Sequence, residues 1–143
     1  MTNVTDSAMF ISGNALNLLL NSDNMKTLRA NQKLEQIIAN VEKKGLKAPK
    51  LIDDLKELRE MALLEHDPLV VKVLRLTYEF IDENESFDIE AQYEEDEEGN
   101  EYPIEIDDKE NFLYLLNLLK NAEHKINREE IKDYRTALKL ELY

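Results

Sequence analysis

Residues 67–81 have the sequence DPLVVKVLRLTYEFI, which contains both the start signal and the apolar faces of a buried helix. Asp67 can accept a hydrogen bond from a free backbone N–H of the first turn, and Pro68 suits the first helical position because it has no N–H to lose. One side of the helix carries Val70, Val73, Leu74, Thr77, Tyr78 and Ile81, and other sides carry Val71, Leu76 and Phe80. A helix that is apolar on most sides lies in a protein interior, so we predict that this is the most buried helix of the fold.

Immediately after this helix the apolar period changes from that of a helix to that of a strand. Apolar and polar residues alternate over 87–93 and again over 102–106, which is typical of two strands with one buried face. The intervening EEDEEGN, residues 94–100, ends in Gly99-Asn100, a pair that favours a turn. We predict a β-hairpin over about residues 86–106, with its apolar face against the helices, its acidic tip in water and Pro103 on an edge strand.

Helical patterns also precede and follow this central region. Three are expected upstream, from Asp6 or Ser7 to about Leu20, from Ser22 or Asp23 to about Lys44 with Gly45 as its C-cap, and from Pro49 to about His66. Two are expected downstream, from Asp107 to about Lys125 and from Asn127 onward. Short connections favour antiparallel neighbours. The predicted fold class is therefore mainly α, an antiparallel helical bundle of five to six helices with one inserted acidic β-hairpin, in a single domain spanning 1–143.

The negative charge of the chain is concentrated in one segment. The net charge is −13, yet residues 82–110 contain fifteen acidic residues and one basic residue, Lys109, and so carry −14. The remaining residues sum to +1. A strongly acidic balance disfavours direct binding of nucleic acid or of an anionic membrane, because both require a basic surface.

Several kinds of chemistry lack the residues that they require. With no Cys there is no disulfide, thiolate metal site or Cys nucleophile. The three glycines, Gly13, Gly45 and Gly99, are too far apart for a phosphate-binding loop. His66 and His124 each follow a Glu at a predicted helix C-terminus, where imidazole suits the helix dipole. We therefore predict no enzyme and no cofactor.

Membrane insertion and export also lack their usual signals. The longest apolar run, Leu18-Leu19-Leu20, is far short of the roughly 20 residues that cross a bilayer. No Lys or Arg precedes Lys26, so the features of a secretory signal peptide are missing. We expect a cytoplasmic protein with no membrane partner.

The acidic tip also has the spacing of a calcium loop. Acidic residues at loop positions 1, 3, 5 and 12 surround a Gly at position 6, as in an EF-hand; they are Glu94, Asp96, Glu98 and Glu105. Glu is too long for the first position, and the flanks are predicted strands rather than helices. We therefore assign no metal site and keep these four residues only as a calcium candidate.

The function that this pattern favours is a protein-interaction module, such as an adaptor, an inhibitor or an immunity-type protein, whose acidic hairpin docks against a basic surface of another protein. The candidate partner-binding residues are Tyr93, Glu94, Glu95, Asp96, Glu97, Glu98, Glu101 and Tyr102. One alternative is a nucleic-acid mimic that inhibits a DNA- or RNA-binding protein; another is a carboxylate-dependent hydrolase, which no motif supports. The tip could also serve only to keep an exposed hairpin edge soluble, and the first helix could pack against a second copy in a homodimer.

Overall fold

The computed structural model describes residues 22–143, with side chains from Leu28 onward. Over this range the protein is mainly helical with one small antiparallel sheet. The elements are α1 (Ser22–Lys44), α2 (Leu51–Leu64), α3 (Pro68–Asn84), β1 (Tyr93–Glu95), β2 (Glu101–Pro103), α4 (Asp108–Lys120) and α5 (Lys125–Leu142). The helix predicted to end near Leu20 lies outside the described residues, and so does the homodimer contact predicted for it.

The predicted helix start at Asp67-Pro68 is confirmed, because α3 begins at Pro68. The prediction that α3 is the most buried helix is not confirmed, since seven of its 17 residues are buried and α4 buries six of 13. Oδ1 of Asp67 accepts a hydrogen bond from the backbone N–H of Val70 at 3.3 Å. The helix packs against both α2 and α5. Its buried surface is therefore broader than one stripe and comprises Leu69, Val73, Leu74, Leu76, Thr77, Phe80 and Ile81.

Two other predicted helix boundaries are also confirmed. Gly45 follows α1 with a φ of +66°, the left-handed conformation that ends many helices and that glycine adopts without strain. Asp107 caps α4, and its Oδ1 accepts a hydrogen bond of 2.8 Å from the backbone N–H of Glu110.

The predicted start of the last helix at Asn127 is wrong. Helix α5 begins at Lys125 and is preceded by His124, which therefore lies before α5 rather than at the end of α4. The reason is that α4 already ends at Lys120, and the amide of Asn127 donates to the carbonyl oxygen of Asn121 at 3.1 Å instead of capping a helix.

The predicted hairpin is present, but its paired region is much shorter than residues 86–106. Its ladder joins only Tyr93–Glu95 to Glu101–Pro103. The residues from Phe87 to Ile89 lie outside this ladder and bind α4 instead of a second strand. The side-chain amide of Asn111 donates to the carbonyl oxygens of Phe87 at 3.1 Å and Ile89 at 2.7 Å. These hydrogen bonds take the place of the strand pairing that the alternating pattern predicted.

The predicted apolar face of the hairpin is consequently divided between the core and the solvent. Phe87 and Ile89 are fully buried, and the ring of Phe87 lies 5.4 Å from that of Phe112 and 6.2 Å from that of Tyr134. Tyr93 and Tyr102, in contrast, are each 51% exposed. The expectation that the whole apolar face packs on the helices is therefore wrong for the strands themselves, which project beyond the core.

Candidate functional site: the acidic hairpin and the adjoining groove

The register of the hairpin places like charges opposite one another. Tyr93 pairs with Pro103, Glu94 with Tyr102, and Glu95 with Glu101. Directly opposed residues of an antiparallel pair share a face, so the side chains of Glu95 and Glu101 leave the ladder on the same face. Such a pair of like charges destabilises the ladder unless a cation approaches it.

Asp96 has a structural role within the turn. Its Oδ1 accepts hydrogen bonds of 2.9 Å from the backbone N–H groups of Glu98 and Asn100, and its Oδ2 accepts from the amide of Asn100 at 3.2 Å and the hydroxyl of Tyr102 at 3.1 Å. These bonds, led by that from the Asn100 backbone, lower the pKa of Asp96. Gly99 completes the turn with a φ of +86°.

The five glutamates of the hairpin, in contrast, are available to a partner. All are exposed, and their carboxylates form no ion pair or hydrogen bond with any residue from 22 to 143; they are Glu94, Glu95, Glu97, Glu98 and Glu101. The structure thus separates one acidic residue that holds the turn from five that face solvent.

A groove of about 420 Å³ lies between the hairpin and α5, and we call it the hairpin groove. Its lining comprises Glu90, Ala91, Tyr93, Glu101, Asp133, Thr136, Ala137 and Leu140. Three of these residues are acidic and none is basic. Leu140 is 77% exposed although it is apolar. The groove therefore combines apolar surface with negative charge.

The surroundings of Asp133 disfavour the negatively charged form of its carboxyl group. Partial burial raises its pKa, and the negative charges of Glu129 and Glu130 on the same helix raise it further. The surroundings of Asp133, which is itself exposed, therefore disfavour its charged form, and a cation bound in the groove would favour that form.

A buried polar network fixes the hairpin relative to α5. The hydroxyl of Tyr134 accepts a hydrogen bond of 2.8 Å from the amide of Gln92 and donates one of 2.6 Å to Oδ1 of Asn111. Burial raises the pKa of the Tyr134 hydroxyl, which keeps it protonated as the donor. Because Gln92 immediately precedes β1, this network sets the position from which the hairpin leaves the helices.

The predicted partner-binding residues lie together on one projecting hairpin, but the groove beside them was not predicted. Its additional residues are Glu90, Ala91, Asp133, Thr136, Ala137 and Leu140. A usable signal was present in the last helix, whose apolar stripe is Ile131, Tyr134, Leu138 and Leu142. Leu140 falls outside that stripe, and an apolar residue on the polar side of a helix is a candidate contact for a partner.

The calcium candidate set does not form a ligand cluster. Within residues 22–143 no group of three or more His, Asp and Glu side chains is placed to hold a metal ion. Both oxygens of Asp96 accept hydrogen bonds from the turn, and the flanks of the loop are strands. Glu94, Asp96, Glu98 and Glu105 are therefore not brought together as an EF-hand would require.

Comparison of the chain with models of known protein families, with proteins of curated function and with solved structures found no match. Among the helices of residues 22–143, none combines the length and the apolar character needed to cross a membrane.

Proposed function

We propose that this protein is an interaction module, acting as an adaptor, an inhibitor or an immunity-type protein, whose acidic hairpin docks against a basic surface of another protein. The observation that carries the proposal is the set of five hairpin glutamates without an ion pair, beside a groove that combines apolar surface with negative charge. A basic partner would neutralise the like charges of Glu95 and Glu101, which are opposed in the ladder.

The hairpin groove provides apolar and aromatic surface for a partner, which the charged glutamates do not. Electrostatic complementarity mainly increases the rate and the specificity of association, whereas buried aromatic and apolar contacts supply most of the affinity. Tyr93 and Leu140 offer such contacts next to Glu101 and Asp133. A Lys or Arg side chain followed by an apolar one would match this arrangement.

The anchored base of the hairpin favours binding with little loss of conformational freedom. The hydrogen bonds of Gln92 and Asn111 and the internal bonds of Asp96 hold the segment in one conformation before the partner arrives. Preorganisation of this kind raises affinity because less ordering accompanies association.

The test compares the intact protein with a variant in which the five hairpin glutamates are changed to Gln and Asp96 is kept. A photoreactive group attached in both proteins at residue 136, an exposed position that lines the hairpin groove, would crosslink the bound protein, and mass spectrometry would identify the crosslinked peptide. We expect a basic peptide, captured by the intact protein, lost in the five-Gln variant and weakened by added salt.

The matched control neutralises five exposed acidic residues elsewhere. Glu35, Glu42, Asp53, Glu60 and Glu141 are exposed, so changing them to Gln or Asn alters the net charge equally. Capture that survives in the five-Gln hairpin variant, or that disappears equally in this control, would contradict docking through the hairpin.

The same experiment separates the alternative functions. If the crosslinked partner binds DNA or RNA at the same surface and nucleic acid competes with the hairpin, the protein is a nucleic-acid mimic. Confinement of the charge to one hairpin disfavours this alternative, because a mimic needs charges spread along a longer face. A carboxylate-dependent hydrolase remains the least supported proposal.

The helices would provide the scaffold for this interaction. We infer that they form an antiparallel bundle of five to six members within one domain spanning 1–143, and that the protein acts in the cytoplasm. A homodimer through the chain preceding residue 22 is a further proposal, which sedimentation of the full chain would test.

A further inference from the structure

A second cleft, of about 440 Å³, lies between the end of α2 and the first half of α3, and we call it the cationic cleft. Its lining comprises Arg59, Leu63, His66, Asp67, Pro68, Val71, Lys72 and Arg75. Three side chains are permanently positive and only one is acidic. The net charge of the cleft is therefore positive, whereas the whole chain has a net charge of −13.

The single acidic residue of the cationic cleft does not neutralise it. Asp67 is engaged by Arg128, whose Nη1 and Nη2 donate to its two carboxylate oxygens at 3.0 and 3.1 Å. Arg75 is likewise satisfied, since its Nη1 donates to Glu79 at 3.0 Å and to the hydroxyl of Tyr143 at 3.3 Å.

Arg59 and Lys72 have no such partners. Neither forms an ion pair or a side-chain hydrogen bond within the part of the chain that the structure describes. The Nε atom of Arg59 is also buried there without a hydrogen-bond acceptor. A charged donor group without a partner is costly to keep partly buried, and the other N–H groups of the same guanidinium also lack a protein acceptor among residues 22–143 and are free to bind an anion in the cleft.

The cleft wall next to these cations is apolar. Leu63 is 44% exposed, and Pro68 and Val71 continue the same surface. A volume of this size is typical of sites for small organic ligands, which combine apolar walls with a few charged groups that fix orientation.

We propose that the cationic cleft binds a small anionic amphiphile, a molecule with one carboxylate or phosphate group on a short apolar body. The anionic group contacts the guanidinium of Arg59 and the ammonium of Lys72, and the apolar body lies on Leu63 and Val71. Guanidinium groups recognise carboxylates and phosphates alike through paired N–H donors, so both chemistries fit the site. This site does not depend on the function proposed for the hairpin.

The test titrates the full-length protein with octanoate and, separately, with octyl phosphate, while amide chemical shifts are followed by nuclear magnetic resonance. We expect saturable shifts that are largest for residues of the cleft, and the tighter of the two ligands identifies the preferred anion. Octanol, which has the same apolar body without the charge, should bind at least about tenfold more weakly, as expected for loss of a charged hydrogen bond.

Substitutions locate the anion. Arg59→Gln and Lys72→Gln should each weaken binding by about tenfold or more. Lys47→Gln removes an exposed positive charge outside the cleft and should leave binding unchanged. Circular dichroism of each variant verifies folding, and if one of the two cleft variants fails to fold, the other decides.

Three results would overturn the proposal. They are no saturation by either anion up to about 10 mM, equal binding of octanol, and anion binding that survives both cleft substitutions or is lost equally in Lys47→Gln.

Discussion

The hydroxyl of Tyr134 on α5 donates a 2.6 Å hydrogen bond to Oδ1 of Asn111 on α4, and the amide nitrogen of Asn111 donates in turn to the carbonyl oxygens of Phe87 and Ile89. Asn111 is only 2% exposed and Tyr134 is completely buried. Two helices and the segment leading into the hairpin are therefore joined by one buried polar side chain. A satisfied buried network of this kind fixes one arrangement of the core.

Removal of this side chain should be among the most destabilising changes in the protein. Asn111→Ala leaves the carbonyl oxygens of Phe87 and Ile89 without this donor and removes the side-chain acceptor of the Tyr134 hydroxyl, which keeps the hydrogen bond from Gln92. We expect the free energy of unfolding to fall by about 2–4 kcal/mol. Urea denaturation measures the change. The control, Asn117→Ala, removes an exposed amide of the same helix and should cost less than about 1 kcal/mol. Equal effects at the two positions would contradict the role of the network.

Thr77 should tolerate the loss of its hydroxyl. The residue is 1% exposed, and its Oγ1 has no hydrogen-bond partner among residues 22–143. Thr77→Val keeps the shape and removes the unpaired polar atom, so we expect the free energy of unfolding to rise by about 1 kcal/mol. Thermal unfolding compared with Thr136→Val, at an exposed position, measures this. A clear loss of stability in Thr77→Val would show that the hydroxyl is paired.

The ion pair between Asp67 and Arg128 should make stability depend on acid pH. Burial alone would raise the pKa of Asp67, but the hydrogen bond from Arg128 and that from the Val70 backbone lower it below the usual value. This stabilisation is present above the pKa of the unfolded state, about 4, and is lost as the pH falls through the lower folded-state value.

Asp67→Asn isolates this contribution because Asn is also a good N-cap. We expect the substitution to cost about 1 kcal/mol at pH 7 and less at pH 2, as measured by urea denaturation at both values. Arg128→Gln should show the same pH dependence. A cost that is equal at both pH values would indicate loss of packing rather than of the charge pair.

Tyr114 should ionise only at strongly alkaline pH. Its hydroxyl donates a hydrogen bond to the carboxylate of Glu130, which with partial burial and the negative charge raises the pKa of Tyr114 to about 12. The contribution to stability is present below the unfolded-state pKa of about 10 and is lost as the pH rises through the folded-state value.

An ultraviolet titration measures the ionisation of Tyr114 directly. The difference between the intact protein and Tyr114→Phe isolates this phenol from the other five tyrosines, and it should titrate near 12. Glu130→Gln should lower the midpoint. A midpoint that is unaffected by Glu130→Gln would exclude the carboxylate as the cause.

Asp133 should contribute more to binding than to folding. Because burial and neighbouring negative charges raise the pKa of its carboxyl group, Asp133→Asn should increase the melting temperature at pH 7 and weaken capture of a basic partner. Asp53→Asn is the control, since it removes an exposed carboxylate on α2. Lower thermal stability in Asp133→Asn would show that the carboxylate has a stabilising partner.

The helical part of the fold was predictable because its signals are local. Asp67-Pro68, Gly45 and Asp107 act through hydrogen bonds and backbone angles within one turn, and the sequence contains all of that information. The extent of the hairpin was not predictable in the same way. The alternation of apolar and polar residues is continuous from Phe87 to Tyr93, yet Phe87 is buried and Tyr93 is exposed. Periodicity indicates which residues share a face, but it does not indicate where the core ends.

The site was predicted in part for the same reason. The acidic residues of the hairpin are adjacent in sequence, so their clustering was visible. The hairpin groove depends on residues more than thirty positions apart, such as Glu101 and Ala137, and on the bond that links Gln92 to Tyr134. Such contacts form only when α5 packs beside the hairpin. The residues next to Glu101 or Ala137 in the sequence do not indicate where that packing will occur.

The projection of the hairpin beyond the core has a consequence for the divergence of this protein. Between Gln92 and Ile104 the two strands pair through their backbones and the turn is held by hydrogen bonds to Asp96, whereas the carboxylates of the five glutamates form no ion pair or hydrogen bond within the described part of the chain. Substitutions there can change which surface is recognised while the helices keep their stability. Selection for a new partner can therefore act on the tip without the compensating changes that a mutation in the core would demand.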